Sequence, residues 1–416
     1  MATAAELKVS DVFWKPGGPP WMRIKGAIEP TEFPVLTEED TTRLAHSLMR
    51  ERDWERFQDY PERDIGLTIP DLCRLRINVY RERGNICLVM RLIPLEIPTL
   101  DELEMPEVLK TVAMSPQGLV LVTGPTGCGK STTLAGMLDH INRNRKAHIV
   151  SIEDPIEYVH QDKHCIVSQR EVSIDTESFA DALKYCLRQN PDIILIGEMR
   201  DVETFNTAMQ SAETGHLVFS TVHTTSASET MERILNMFPP SEREQVAVRL
   251  SRTLRAVISQ ALIPRMDAAG RVAALEIMVV TPTVRKYIED GRASQVEEAI
   301  EDGGHWGMQT KNQALLKLYA DKVISAEEAM FNAGNYTQMR QILQRYDKEQ
   351  ADVAAAAKAR EEEIARKRRA QHRAREASAA AAQQQAQPPS DQPAQPASSG
   401  QPGSQRPPGS SAPPSP

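Results

Sequence analysis

A short apolar run, Leu119-Val-Leu-Val-Thr123, passes through Gly124-Pro-Thr-Gly-Cys-Gly-Lys-Ser131 into a segment of helical character, Thr132 to Asn142. A strand, a G-x4-G-K-S turn and a helix in that order commit the chain to a P-loop, and so to an α/β fold with a parallel-rich sheet. The glycines let the turn's backbone N–H groups converge on phosphate oxygens, helped by the positive end of the following helix. Gly124, Pro125, Thr126, Gly127, Cys128, Gly129 and Thr132 are then the nucleotide contacts, Lys130 sits on the phosphates as a catalytic cation, and Ser131 is the magnesium ligand. The loop alone specifies ATP or GTP with Mg2+. Cys128 reads as a small filler, at which oxidation would block the nucleotide.

Further apolar runs, Ile149-Val-Ser-Ile152, Ile193-Ile-Leu-Ile196 and Leu217-Val-Phe-Ser-Thr-Val222, alternate with helical patterns, as in a sheet covered on both faces. Ile193-Ile-Leu-Ile-Gly197-Glu198 ends in a carboxylate placed to polarise water or hold magnesium through water. Gly197 stands where an aspartate is common, so metal binding leans on Ser131 and on other carboxylates. That points to Glu153-Asp154-Pro-Ile-Glu157, with Glu153 and Glu157 as catalytic candidates and Asp154 as a water-mediated magnesium ligand. Helix capping by Asp154 and plain surface charge are the alternatives. His216 and His223 bound a buried strand; an odd separation sends them to opposite faces, so they are not one metal site. Both are candidates to contact nucleotide or to bridge to a neighbouring subunit, although such a pair is more often structural; His223, beside Thr224 and Thr225, is nearer the phosphate side. A predominantly helical stretch is expected from Ser241 to about Arg345.

Residues 1–95 read as a small α+β domain with one helical stretch from Thr37 to Phe57. Arg74-Leu-Arg-Ile-Asn-Val-Tyr80 alternates as a half-buried strand, and Ile86 to Ile93 is its hairpin partner across Gly84-Asn85. Arg76 and Arg91 lie on these strands and are candidates to deliver a cation to nucleotide, although exposed strand arginines more often only solubilise. Prolines in Pro94-Leu-Glu-Ile-Pro-Thr-Leu100 mark a linker, taken as 96–104. The ATPase domain is expected over 105–350, a charged helix over 351–380 and a disordered Gln/Pro/Ser/Gly tail over 381–416. The 416 residues, 40% of them apolar, suffice for two cores, and a net charge of -8 argues against nucleic acid as partner. Five cysteines without a C-x-x-C pair fit a reducing compartment. With neither a signal-like N-terminus nor 18 consecutive apolar residues, the expectation is a cytosolic protein without direct membrane insertion.

Four motifs together, Gly124-Pro-Thr-Gly-Cys-Gly-Lys-Ser-Thr-Thr133, Ile152-Glu-Asp-Pro-Ile-Glu157, Asn190 to Asp201 and Ala212 to His223, closely resemble the type IV pilus retraction ATPases, the PilT/PilU family. The resemblance runs from about Ser10-Asp11 to Gln344 and includes Gly307-Met-Gln-Thr310. It implies a PAS-like N-terminal domain, a RecA-like ATPase domain, and a homohexamer with ATP between the domains, reached by Arg76 and Arg91. It makes Gly124–Ser131 the Walker A loop, Glu153, Asp154 and Glu157 an acidic box, Glu198 the end of Walker B, and His216 and His223 a histidine box. It also implies pilus retraction and twitching motility, an inner-membrane platform protein and a paralogous retraction ATPase as partners, and a cytoplasmic place at the pilus base. Thr281 to Gly291 keeps only Arg285 and Ile288 of the family's Ala-Ile-Arg-Asn-Leu-Ile-Arg-Glu motif. Assembly and secretion ATPases of the same superfamily usually carry a four-cysteine zinc insertion after the histidine box, which is lacking here; a DNA-translocating RecA-like motor is the other alternative, as is a regulatory nucleotide-binding subunit.

Overall fold

The computed structural model describes residues 4, 7, 9–24, 27–70, 72–93 and 95–385. The N-terminal part is a six-stranded antiparallel sheet of β1 Asp11–Trp14, β2 Trp21–Ile24, β3 Ala27–Pro30, β4 Glu62–Ile69, β5 Cys73–Glu82 and β6 Asn85–Ile93. Their order is β3-β2-β1-β6-β5-β4. On β5 the alternation seen in the sequence sends Cys73, Leu75, Ile77 and Val79 into the core and Arg74, Arg76 and Asn78 to the other face. The β5–β6 turn is Arg83-Gly84, one residue earlier than expected, and both residues have positive φ (54° and 86°), as a tight two-residue hairpin requires.

The single helix expected over 37–57 is two, Glu38–Leu48 and Glu51–Asp59, because Met49 and Arg50 are extended. Thr37 and Asp40 close a capping box on the first helix. The break lets Ala45 and Phe57, one from each helix, enter the same core as Val12, Ile77 and Leu88.

The larger sheet holds β7 Gly118–Thr123, β8 His148–Glu153, β9 Ile166–Glu171, β10 Ile193–Ile196, β11 Leu217–Val222, β12 Leu254–Pro264 and β13 Arg271–Val279. Their order is β13-β12-β7-β11-β10-β8-β9, parallel throughout except for β12 with β13. Every residue of β7 is buried, with Leu119 and Leu121 in one core layer and Val120 and Val122 in the other. The linker is anchored: Leu100 packs into the second layer, against the P-loop helix near Gly136.

The helical reading of 241–345 needs correction, because β12 and β13 form a hairpin whose first strand pairs with the P-loop strand, Ser259 opposite Thr123. A strand buried on both faces shows no alternation, and its apolar run is indistinguishable by period from a buried helix. Beyond it, Leu315, Ile324, Met339 and Leu343 cover Ile263 and Val272.

The described residues from 345 to 385 form a unit of their own. Within it the helix Tyr336–Gln385 continues, encompassing the charged helix expected over 351–380 and extending into the expected tail. It is exposed from Asp347 to Ala380 and carries i,i+4 pairs such as Glu363–Lys367. The disorder expected further on concerns residues 386–416, outside the described ones. Among the described residues no helix is long and apolar enough to cross a membrane.

Candidate nucleotide site

Parallel pairing of β8, β10, β11 and β7 brings their C-terminal ends to one edge of the sheet. Ligands of open α/β sheets bind at such an edge. The P-loop follows β7, Glu153 ends β8, Gly197-Glu198 follows β10 and His223 follows β11.

The loop's shape is set by three glycines, Gly124, Gly127 and Gly129, at φ 142°, 80° and 89°. At Gly124 a side chain is also excluded by space, since a Cβ would fall 2.5 Å from Cys128 Sγ and from the Gln260 carbonyl oxygen. Pro125, Thr126 and Gly127 are exposed, whereas Cys128 and Lys130 are buried. Lys130 Nζ donates to the carbonyls of Gly124 (2.8 Å) and Pro125 (3.0 Å). Burial raises the Cys128 thiol pKa, and a thiol kept protonated and enclosed opposes the oxidation sensitivity expected of it.

Gln260 of β12 locks this loop. Its Nε2 donates to the Cys128 carbonyl (2.7 Å) and its Oε1 accepts from Thr133 Oγ1 (2.7 Å), all within a side chain 3% exposed. Sequence reasoning missed it because it sits in the strand read as helix. The signal was there: Ser259-Gln260 interrupts a long apolar run, and a polar pair so placed must find partners. Ser259 finds one in Thr123, whose hydroxyl donates to it at 2.9 Å.

The acidic segment is placed beside the loop by a contact that also escaped the sequence, Thr132 Oγ1 to the Tyr158 hydroxyl at 2.9 Å. Glu153 accepts from Ser151 Oγ (2.6 Å) and Gln169 Nε2 (3.0 Å), and burial raises its pKa against those two hydrogen bonds. Asp154, on the surface of the cleft, is raised by desolvation and then by the Glu198 charge. Glu198 is held between Arg200 Nη2 (2.6 Å) and His223 Nε2 (3.6 Å). Across the strands, Thr221 Oγ1 donates to the Gly197 carbonyl (2.7 Å) and Gly197 N–H donates to that of Ile152 (2.8 Å), so the Glu198 turn is tied to both neighbours.

Arg76 faces the same region, with Nη1 4.0 Å from Glu157 Oε1. Arg91 is its cross-strand neighbour but is engaged elsewhere, donating from Nε to Asp11 at 2.9 Å. His216 is not brought to the site in this chain. It precedes Leu217, which pairs with Gly118 at the start of the P-loop strand, and its Nδ1 is hydrogen-bonded to the Ser211 carbonyl (2.9 Å) at the opposite sheet edge. The reason is the one-directional strand: six residues at about 3.3 Å each separate it from His223.

The residues fit a nucleotide with magnesium. The crowded glycine cradle leaves the N-terminus of the helix Lys130–Asn144 without a side-chain cap, a site for phosphate. Among the described residues no three His, Cys, Asp or Glu side chains form a metal cluster, and Mg2+ typically takes one or two protein ligands together with phosphate and water.

This fold and loop define a P-loop ATPase of the RecA-like type. The chain belongs to the type II/IV secretion system protein family, whose model matches residues 61–388. It is 45% identical to the type IV pilus retraction ATPase PilT of Pseudomonas aeruginosa over 79% of this chain and 95% of that protein. It is 39% identical to the type IV pilus ATPase PilU of the same organism, over 82% and 90%. Its fold matches a crystal structure of the pilus retraction motor PilT with bound ADP at a TM-score of 0.77 and 42% identity, covering 82% of this chain and 97% of that one.

Proposed function

We propose that this chain hydrolyses ATP in a homohexameric ring and couples turnover to type IV pilus retraction, driving twitching motility. The single observation that carries the reading is the meeting of the P-loop, Glu153, Glu198 and His223 at one sheet edge, with Arg76 of the N-terminal domain 4.0 Å from Glu157. Lys130 turns from its loop carbonyls to the β- and γ-phosphates. Glu198, steadied by Arg200 and His223, orients the attacking water, and Glu153, its proton affinity raised by burial, is the base that receives the proton. Ser131 would hold Mg2+ directly and Asp154 through water, the ion neutralising charge on the phosphate oxygens. Arg91, 64% exposed, would exchange its Asp11 contact for a neighbouring subunit's nucleotide. The motor would act at the cytoplasmic face of the inner membrane on a platform protein, alongside a paralogous retraction ATPase.

The test has a biochemical and a cellular arm. Glu198→Ala retains ATP binding and loses most turnover; normal turnover would remove Glu198 from the scheme. A deletion strain has more surface pili and no twitching, whereas a strain without pili would assign the protein to assembly.

A further inference from the structure

Arg74 shares the outward face of β5 with Arg76, where a solvated side chain is the ordinary outcome, yet its side chain is only 11% exposed. Two of the three guanidinium nitrogens reach out of its own domain. Nε donates to the Ile156 carbonyl at 2.8 Å and Nη2 to Glu171 Oε2 at 2.5 Å, while Nη1 donates to Thr68 Oγ1 at 3.1 Å. Glu171 in turn accepts from the Ile156 N–H at 3.3 Å. The two polar groups of one peptide residue, Ile156, are thus held by the two halves of one ion pair. Ile156 lies inside the acidic segment, between Asp154 and Glu157. Space for the pair is made by Gly66 on β4, where a Cβ would fall 2.6 Å from Arg74 Nη2 and 3.0 Å from each Glu171 carboxylate oxygen.

We propose that Arg74 and Glu171 are a positioning pair through which the N-terminal domain sets the acidic segment for hydrolysis. The inference rests on the ATPase reading above and adds to it the route by which the two domains communicate. An ion pair buried between domains adds little net stability, because desolvation offsets most of its Coulomb gain, but removing one partner strands the other charge. The pair is therefore a poor glue and a good register device. With the domains closed, Ile156 has one place to be; with them apart, both charges return to water and the segment is released. Neither residue touches the P-loop in the hydrogen bonds and ion pairs above, so nucleotide affinity should be largely independent of them.

The experiment uses the full-length protein, with ATP turnover, KM and melting temperature measured for Arg74→Gln, Glu171→Gln, their double variant and Gly66→Ala. Gly66→Ala crowds the pair without changing either charge. The expected result is a fall in kcat of about tenfold or more with KM changed less than about threefold, as for displaced catalytic geometry. The double variant should be no slower than the slower single, because the two residues act as one unit. Wild-type kcat in a well-folded Glu171→Gln or Gly66→Ala protein overturns the pairing, as does a multiplicative loss in the double variant. A change confined to KM overturns it too. If the wild-type protein itself lacks ATPase activity, the function reading falls instead.

Discussion

Substituting Gln260→Glu isolates one hydrogen bond of the P-loop. The introduced carboxylate can still accept from Thr133 Oγ1, but it places an acceptor 2.7 Å from the Cys128 carbonyl where the amide donated. A buried carbonyl stripped of its donor costs about 1–3 kcal/mol before any repulsion is counted. At about 2–4 °C per kcal/mol for a domain of this size, the apparent Tm at pH 7.5 should fall by about 2–12 °C. Because loop geometry is disturbed at Cys128, turnover should fall as well. The deficit must depend on pH. A protonated carboxyl regains an O–H donor, so its folded-state pKa lies above the unfolded value of about 4.3. The recovered stability is complete below about pH 4.3 and is lost as pH rises through the raised folded value. Thermal melts of wild type and variant from pH 4.5 to 8, read as a difference, cancel the titrations that the two proteins share. A variant that melts and turns over like wild type at pH 7.5, or whose deficit is constant with pH, refutes the clamp.

Burial lowers the His160 pKa from 6.5 to about 4, against the charge of Asp139. Folding stability should therefore be lost as pH falls from about 6.5 to 4, by about 3 kcal/mol; urea titrations of His160→Gln should show a shallower decline, and an unchanged slope would exclude His160. Glu153→Gln should lower kcat by about 10²-fold and abolish the acid limb of the kcat–pH profile, which in wild type lies above the ordinary carboxylate range because burial raises Glu153; an acid limb that survives the substitution argues for another base. Iodoacetamide at pH 7.5 should label Cys128 far more slowly than a free small thiol, and fast labelling seen by peptide mass spectrometry would contradict its enclosure.

What could be read in advance was what chain order and period encode. The P-loop announces itself because its chemistry is local: three glycines, a lysine and a hydroxyl within eight residues, between a strand and a helix. Four of the parallel strands, β7, β8, β10 and β11, were legible for a similar reason, as short apolar runs largely buried in the sheet, whereas β9 and β12 were not. Legibility ended where a residue's role depends on another segment. Arg74 and Arg76 stand two apart on one face of one strand, yet Arg74 is enclosed against Glu171 while Arg76 is half exposed beside Glu157. Only the meeting of two domains separates them. Gln260 acquires its role 132 residues from Cys128, through the parallel pairing of β12 with β7. His216 shows the converse: motif membership suggested nucleotide contact, but a strand has two ends and only one faces the loop. Local motifs thus marked the loop proposed to hold the phosphates, whereas the groups that hold the loop and the acidic segment beside it come from sheet neighbours and from the other domain. That division favours buried polar residues in apolar runs, such as Ser259-Gln260, as places to seek supporting contacts, since each must find a partner that its own segment does not supply.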